Sequence, residues 1–170
     1  MKLKTIIVIL TLIIGLIVII WLGKINQTNL NSNSQAQTQK IKSSSLLANE
    51  LLYNFGTISM QDGLVEKTFQ ITNPTTQDVK LSRVVTSCMC TKAYIENNGK
   101  EKGPFGMAGH GGPVPMANEI IEAGKSIDIK VVYDPNAHGP AGVGTIDRFI
   151  ELTEENGAVT ELEIKALVTP

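Results

Sequence analysis

An all-β domain, an antiparallel sandwich of seven strands preceded by one transmembrane helix, is what this 170-residue sequence predicts. Two observations carry that prediction. Residues 5–23 contain no charge and are almost entirely apolar, whereas from Leu46 onward no stretch shows helical periodicity and short runs of β-forming residues are cut by turn residues. The whole-chain averages (42% hydrophobic, 18% charged, mean hydropathy +0.08) therefore mix two unlike parts. Fifteen basic against sixteen acidic residues exclude a strongly basic nucleic-acid binder. Two cysteines exclude a disulfide-dense scaffold and a four-cysteine zinc site.

The amino-terminal element comes first. Lys2 and Lys4 precede a run from Ile6 to Leu22 in which only Thr11 and Gly15 are not strongly apolar. Thr5 to Gly23 gives 19 uncharged residues, enough to cross hydrocarbon, which takes about 20. A cleaved signal peptide has a shorter apolar region and a small-x-small exit. Here the exit reads Trp21-Leu22-Gly23-Lys24, so the segment is read as an uncleaved signal anchor, with Trp21 at the interface. The basic residues ahead of it place that side in the cytoplasm and the bulk of the chain outside, in the cell membrane as a single-pass protein. Residues 1–25 thus form the cytoplasmic tip and anchor. Residues 26–45, dominated by Asn, Gln, Ser and Thr, read as a flexible linker that buries too little apolar surface to order itself.

Residues 46–170 form the domain. Leu51–Ile58 carries Leu52, Tyr53, Phe55 and Ile58; after the Asp62-Gly63 turn, Leu64–Thr72 carries Val65, Phe69 and Ile71. Asn73-Pro74 stops that strand, because proline donates nothing to a ladder. Val79–Val84 alternates with period two, as a half-buried strand does. Thr91–Ile95, Ile127–Tyr133, Thr145–Leu152 and Val159–Val168 complete seven, the last two joined through the hairpin signal Asn156-Gly157. Seven strands in about 120 residues point to a sandwich of immunoglobulin-like type. The only tryptophan lies in the anchor, so the antibody arrangement of two core cysteines around a tryptophan is excluded.

Tyr53-Asn54-Phe55-Gly56-Thr57-Ile58, Phe69-Gln70-Ile71-Thr72-Asn73 and Ser87-Cys88-Met89-Cys90-Thr91 resemble the bacterial domain of unknown function 1573 family, related to the Hydin/SPD-2-type immunoglobulin-like domains. Ala123-Gly124-Lys125-Ser126 and Val131-Val132-Tyr133-Asp134-Pro135 extend the likeness, which covers about Leu51 to Val168. It implies a seven-stranded sandwich outside the cytoplasm and brings no established chemistry or catalytic residues. Members usually place glycine where Met89 stands, and have a shorter passage after the cysteines.

That longer passage, residues 97–118, holds six glycines and three prolines among 22 residues and predicts a loop without regular structure. It contains Met107, His110 and Met116; His138 lies in a second glycine–proline loop. Cys88, Cys90, Met107, His110, Met116 and His138 together form a candidate soft-metal site, because thiolate, thioether and imidazole favour a copper ion as Cu(I). The competing reading makes Cys-x-Cys a packing feature or a local, redox-active disulfide. Residues two apart on an extended strand lie about 6.6 Å apart, while bonded cysteines need β-carbons about 3.8 Å apart. Either outcome requires a bend.

Neither a Gly-x-Ser-x-Gly elbow nor a phosphate loop is present, and nothing orients a cysteine–histidine pair for catalysis. Asp134 with Asn136 reads as a turn initiator rather than a calcium pair. The sequence thus predicts a membrane-anchored, extracytoplasmic, non-catalytic binding module. Its partner is either a copper ion or an envelope protein, the latter docking on the sandwich or on the long loop, and nucleic acid is excluded.

Overall fold

The computed structural model describes residues 43–109, 112–113 and 115–170. The anchor and nearly all of the linker read from the sequence lie outside these residues. Among the described residues no helix is long and apolar enough to cross a membrane.

Ten strands run in the order β1 (Leu47–Ala48), β2 (Leu52–Ser59), β3 (Val65–Thr72), β4 (Val79–Thr86), β5 (Thr91–Asn97), β6 (Lys100–Phe105), β7 (Glu119–Ile121), β8 (Ser126–Tyr133), β9 (Gly144–Glu154) and β10 (Val159–Thr169). They form two five-stranded sheets, β1-β3-β8-β5-β6 and β2-β10-β9-β4-β7. Alternation sets the core. Ile127, Ile129, Val131 and Tyr133 point inward from β8, and Leu162, Ile164, Ala166 and Val168 from β10. Phe69 and Ile71, with Ile146, Ile150 and Leu152, complete the facing layers. Burying each of the larger aliphatic or aromatic side chains stabilises the fold by about 1.5–3 kcal/mol.

All seven predicted strands are present, and the prediction is incomplete in three respects. First, β1, β6 and β7 are additional. β6 lies inside the segment predicted to lack regular structure, and carries Gly103-Pro104. It is an edge strand, paired on one side to β5, so its proline is not required to donate to a second neighbour. Gly103 allows the close pass beside β5: a β-carbon there would lie 3.0 Å from the Ala93 carbonyl oxygen. Lys130 on β8 pairs with Glu96 at 3.0 Å and also with Glu101, tying the hairpin to the sheet.

Second, the sandwich is not wholly antiparallel, because β2 runs parallel to β10. Parallel neighbours need a long crossover, and here everything from β3 to β9 supplies it. Third, the alternation read in Val79–Val84 is interrupted by an irregularity between Leu81 and Arg83. This bulge turns Val84 and Thr86 inward beside Leu81 and leaves Arg83 exposed.

Two buried polar side chains organise the end of the sandwich at which β4 begins. Asn73 is fully buried; its Nδ2 donates to the carbonyls of Gln77 (2.8 Å) and Ile121 (2.9 Å). Its Oδ1 accepts from the amide (3.0 Å) and hydroxyl (2.7 Å) of Thr75. Glu154, also buried, accepts from the Ser44 hydroxyl (2.6 Å), the Ser45 amide and hydroxyl (both 2.9 Å) and Asn156 Nδ2 (3.0 Å). Burial alone would raise the pKa of this carboxyl, but the Ser44, Ser45 and Asn156 donors outweigh it and hold the group below the ordinary value. Ser43–Ser45, read as the end of the linker, thus contact the domain, Ser43 also bridging to Val159.

Candidate functional site

The opposite end, where β4 finishes, carries the sulfur chemistry. β4 ends at Thr86, and the chain bends through residues 87–90 before β5 starts at Thr91. The bend has identifiable causes. The buried Thr86 hydroxyl lies 3.0 Å from the Cys88 carbonyl oxygen and 3.1 Å from that of Thr91, and the Thr91 amide donates to the Cys88 carbonyl at 3.1 Å. Ser87 locks the turn to β9, its amide donating to the Phe149 carbonyl and its hydroxyl accepting from the Phe149 amide, both at 2.9 Å. The Cys88 and Cys90 α-carbons come to 5.2 Å, within the span of a disulfide, and the two sulfurs are bonded.

Each sulfur has its own surroundings. Cys90 is 2% exposed and belongs to the core, whereas Cys88 is partly buried at its margin. Sγ of Cys88 accepts from the Cys90 amide at 3.2 Å and lies 3.3 Å from Nε2 of the exposed His138. Sγ of Cys90 accepts from Nε of Arg148 at 3.3 Å and lies 3.7 Å from the Thr91 hydroxyl. Arg148 also donates through Nη1 to the Asp147 carbonyl at 2.8 Å. Burial pushes the neighbouring Tyr133 phenol above its ordinary pKa; Arg148 opposes that shift and Asp134 adds to it.

His138 is positioned by a compact loop. Asp134 Oδ1 accepts from the Asn136 amide at 2.8 Å, the turn-initiating role read from the sequence, and Asn136 Nδ2 donates to the Met60 carbonyl at 2.6 Å. Gly142 closes the loop against its own start. A β-carbon there would lie 3.1 Å from the Pro135 carbonyl oxygen and 3.6 Å from the His138 β-carbon.

Three of the six predicted donors, Cys88, Cys90 and His138, have donor atoms that all lie within 4.8 Å of one another. Met107 bridges through its backbone to Thr86, the last residue of β4 and two residues before Cys88 in the chain. Met116 is 59% exposed beside Ala117, whose amide bonds to Ser82 in the middle of β4. His110 lies outside the described residues. With the sulfurs bonded to one another neither is a thiolate ligand, and no cofactor is established. A cleft of about 520 Å³ lined by Ser45, Thr75, Lys80 and Glu154 sits at the other end and has no cysteine or histidine in its lining.

Arg148 is the site residue that the sequence reading missed. Its signal was a charge on the inward register of β9, between Ile146 and Ile150.

Residues 46–106 match the family described as protein of unknown function, DUF1573. The DUF1573 match contains the cysteine turn, while His138 and Arg148 come from beyond it. No curated protein matches the chain. Among solved structures, a protein of unknown function from Porphyromonas gingivalis W83 is similar at TM-score 0.53 and 13% identity, over 75% of this chain and 48% of that one. The chain therefore spans about half the length of that protein. PapD-like domain 7 of human CEP192 gives TM-score 0.47 at 13% identity, over 75% of this chain and 87% of that domain. The periplasmic chaperone SfaE gives 0.42 at 11%, over 74% and 58%. At 13% identity the likeness to the Porphyromonas gingivalis protein concerns the fold alone.

Proposed function

We propose that this chain is a membrane-tethered, extracytoplasmic interaction module whose Cys88–Cys90 pair is a redox-active disulfide that exchanges with the thiols of a partner. The carrying observation is the pairing of each sulfur with a nitrogen group: His138 at 3.3 Å from Sγ of Cys88, and Arg148 at 3.3 Å from Sγ of Cys90. A cation beside a sulfur favours the thiolate, and stabilising the reduced pair makes a disulfide more oxidising. The tether and outward orientation are supported by the uncharged stretch Thr5–Gly23 behind Lys2 and Lys4, and by the disulfide, which persists in oxidising compartments. Leu64, Met89 and Val143, 64%, 48% and 44% exposed, stand in the loops and turns of the same end and give a partner apolar contact. The module acts by binding and stoichiometric exchange, not as an enzyme.

The test equilibrates the full-length protein with glutathione redox buffers, traps thiols with maleimide and reads the intact mass. The pair is expected to be half-reduced at a potential above about −300 mV, the level below which structural disulfides usually fall. A pair still oxidised at that level is structural, and the redox reading fails.

A second reading rests on the three donor atoms within 4.8 Å. Reduction frees two thiolates beside an imidazole, a set that suits Cu(I). A Cu(I) titration of the reduced protein against a competing chelator belongs to the same experiment. Affinity no greater than that of a Cys88→Ser/Cys90→Ser variant removes copper.

A further inference from the structure

Resting on the redox reading above, we infer that exchange at this disulfide is directional: an incoming thiolate attacks Sγ of Cys88, and Cys90 leaves as the thiolate. Access comes first. Cys90 is 2% exposed and sits in the core cluster, while Cys88 lies at its margin beside the exposed His138. A nucleophile arriving from solvent therefore meets Cys88.

The leaving side is prepared as well. Sγ of Cys90 already accepts from Arg148 Nε, a permanently charged donor, and the Thr91 hydroxyl lies 3.7 Å away. A thiol whose anion is stabilised leaves faster. Attack at Sγ of Cys90 would instead require the nucleophile to enter the core beside Arg148 and expel Cys88.

The step balances. The thiolate R–S⁻ forms a bond to Sγ of Cys88 as the Cys88–Cys90 bond breaks, giving R–S–S–Cys88 and the Cys90 thiolate. A second thiolate then attacks the R sulfur, R–S–S–R departs and Cys88 is released as a thiolate. The protein disulfide gains two electrons and two thiols are oxidised. Nε2 of His138, 3.3 Å from Sγ of Cys88, lies within hydrogen-bond reach of the thiolate released there. The co-reactant is a thiol, either a small molecule or a cysteine of a polypeptide.

The oxidised full-length protein is exposed briefly to glutathione, quenched in acid, alkylated with maleimide and fragmented to locate each label. The expected result is glutathione on Cys88 and maleimide on Cys90 in at least tenfold excess over the reverse. Equal labelling, or glutathione on Cys90, overturns the direction and leaves the redox reading standing. An intact disulfide with no adduct at any glutathione concentration overturns both.

Arg148 enters as a positioning residue, and its removal separates charge from folding. Arg148→Met is expected to slow the first step about tenfold, and Arg148→Lys to recover part of that rate. Equal rates for all three proteins would contradict the role given to the guanidinium. A parallel arm with an apolar cysteine-containing peptide distinguishes the source of the thiol. Faster reaction than glutathione identifies a polypeptide, slower reaction a small thiol, and the adduct is expected on Cys88 in both arms.

Discussion

Replacing Asn73 with alanine is expected to destabilise the domain by about 3 kcal/mol, which at ordinary denaturant sensitivity lowers the urea midpoint by about 1–2 M. The size follows from what the side chain satisfies. Its amide nitrogen holds the carbonyls of Gln77 and Ile121, and its oxygen holds the amide and hydroxyl of Thr75. The backbone of Asn73 joins in as well, accepting from Gly124 and donating to Lys125, both at 2.9 Å. Truncation leaves backbone groups without partners in two segments at once, the β3–β4 turn and the end of β7, and removes the side chain that fixes the backbone bonds to the turn before β8. Asn73→Asp keeps the acceptor and loses both donated bonds, so it should fall between alanine and the native residue. Urea unfolding of the detergent-solubilised chain, followed by tyrosine fluorescence, measures the series. A shift under 0.5 kcal/mol for alanine would contradict this account of the turn.

Glu154→Ala is expected to cost a similar amount, about 2–3 kcal/mol, because the carboxylate accepts four hydrogen bonds and bonds to charged groups are the stronger kind. Its effect depends on pH in a defined direction. The folded-state pKa lies below the ordinary carboxyl value of 4.5. The unfolded chain therefore binds the proton more readily, and the contribution of Glu154 is fully present above about pH 5. It is lost as pH falls through the lowered folded value. Native and Glu154→Gln proteins should thus converge in stability on acidification, the native one losing more. The same substitution should raise hydrogen exchange at Ser45 and Leu46, whose amides lie in the strap that the carboxylate holds. Parallel stability–pH curves would show that Glu154 is protonated or unpaired.

These positions also show what was legible in the sequence. Strands that alternate cleanly, such as Ser126–Tyr133 with Ile127, Ile129, Val131 and Tyr133 inward, announce themselves through period two. β6 did not, because Gly103 and Pro104 speak against a strand unless its place at a sheet edge is already known. The bulge between Leu81 and Arg83 was hidden for a related reason: pairing register belongs to two strands and one sequence stretch does not carry it. Asn73 read as a strand breaker, which it is. Its burial depends on Ile121, 48 residues away.

At the site, residue type drew attention to Cys88, Cys90 and His138, since each is uncommon here and chemically distinctive. Arg148 was concealed among the other basic residues. What distinguishes it is location, on the inward register of β9 where Ile146, Ile150 and Leu152 are buried. A charge in such a register calls for partners, and Arg148 finds the Cys90 sulfur through Nε and the Asp147 carbonyl through Nη1. The methionines pose the opposite problem. Glycine-rich loops offer many donors, and topology alone decides that Met116 sits beside Ala117 at the level of Ser82.

The central claim is that a reducible disulfide stands at the exposed end of a module facing outward from the membrane. A membrane-impermeant maleimide applied to intact cells tests it directly. The account predicts no labelling of the chain until an impermeant reductant is added, and then labelling that disappears in the Cys88→Ser/Cys90→Ser variant. Labelling without reductant would contradict the disulfide, and labelling that appears only after the cells are permeabilised would contradict the outward orientation.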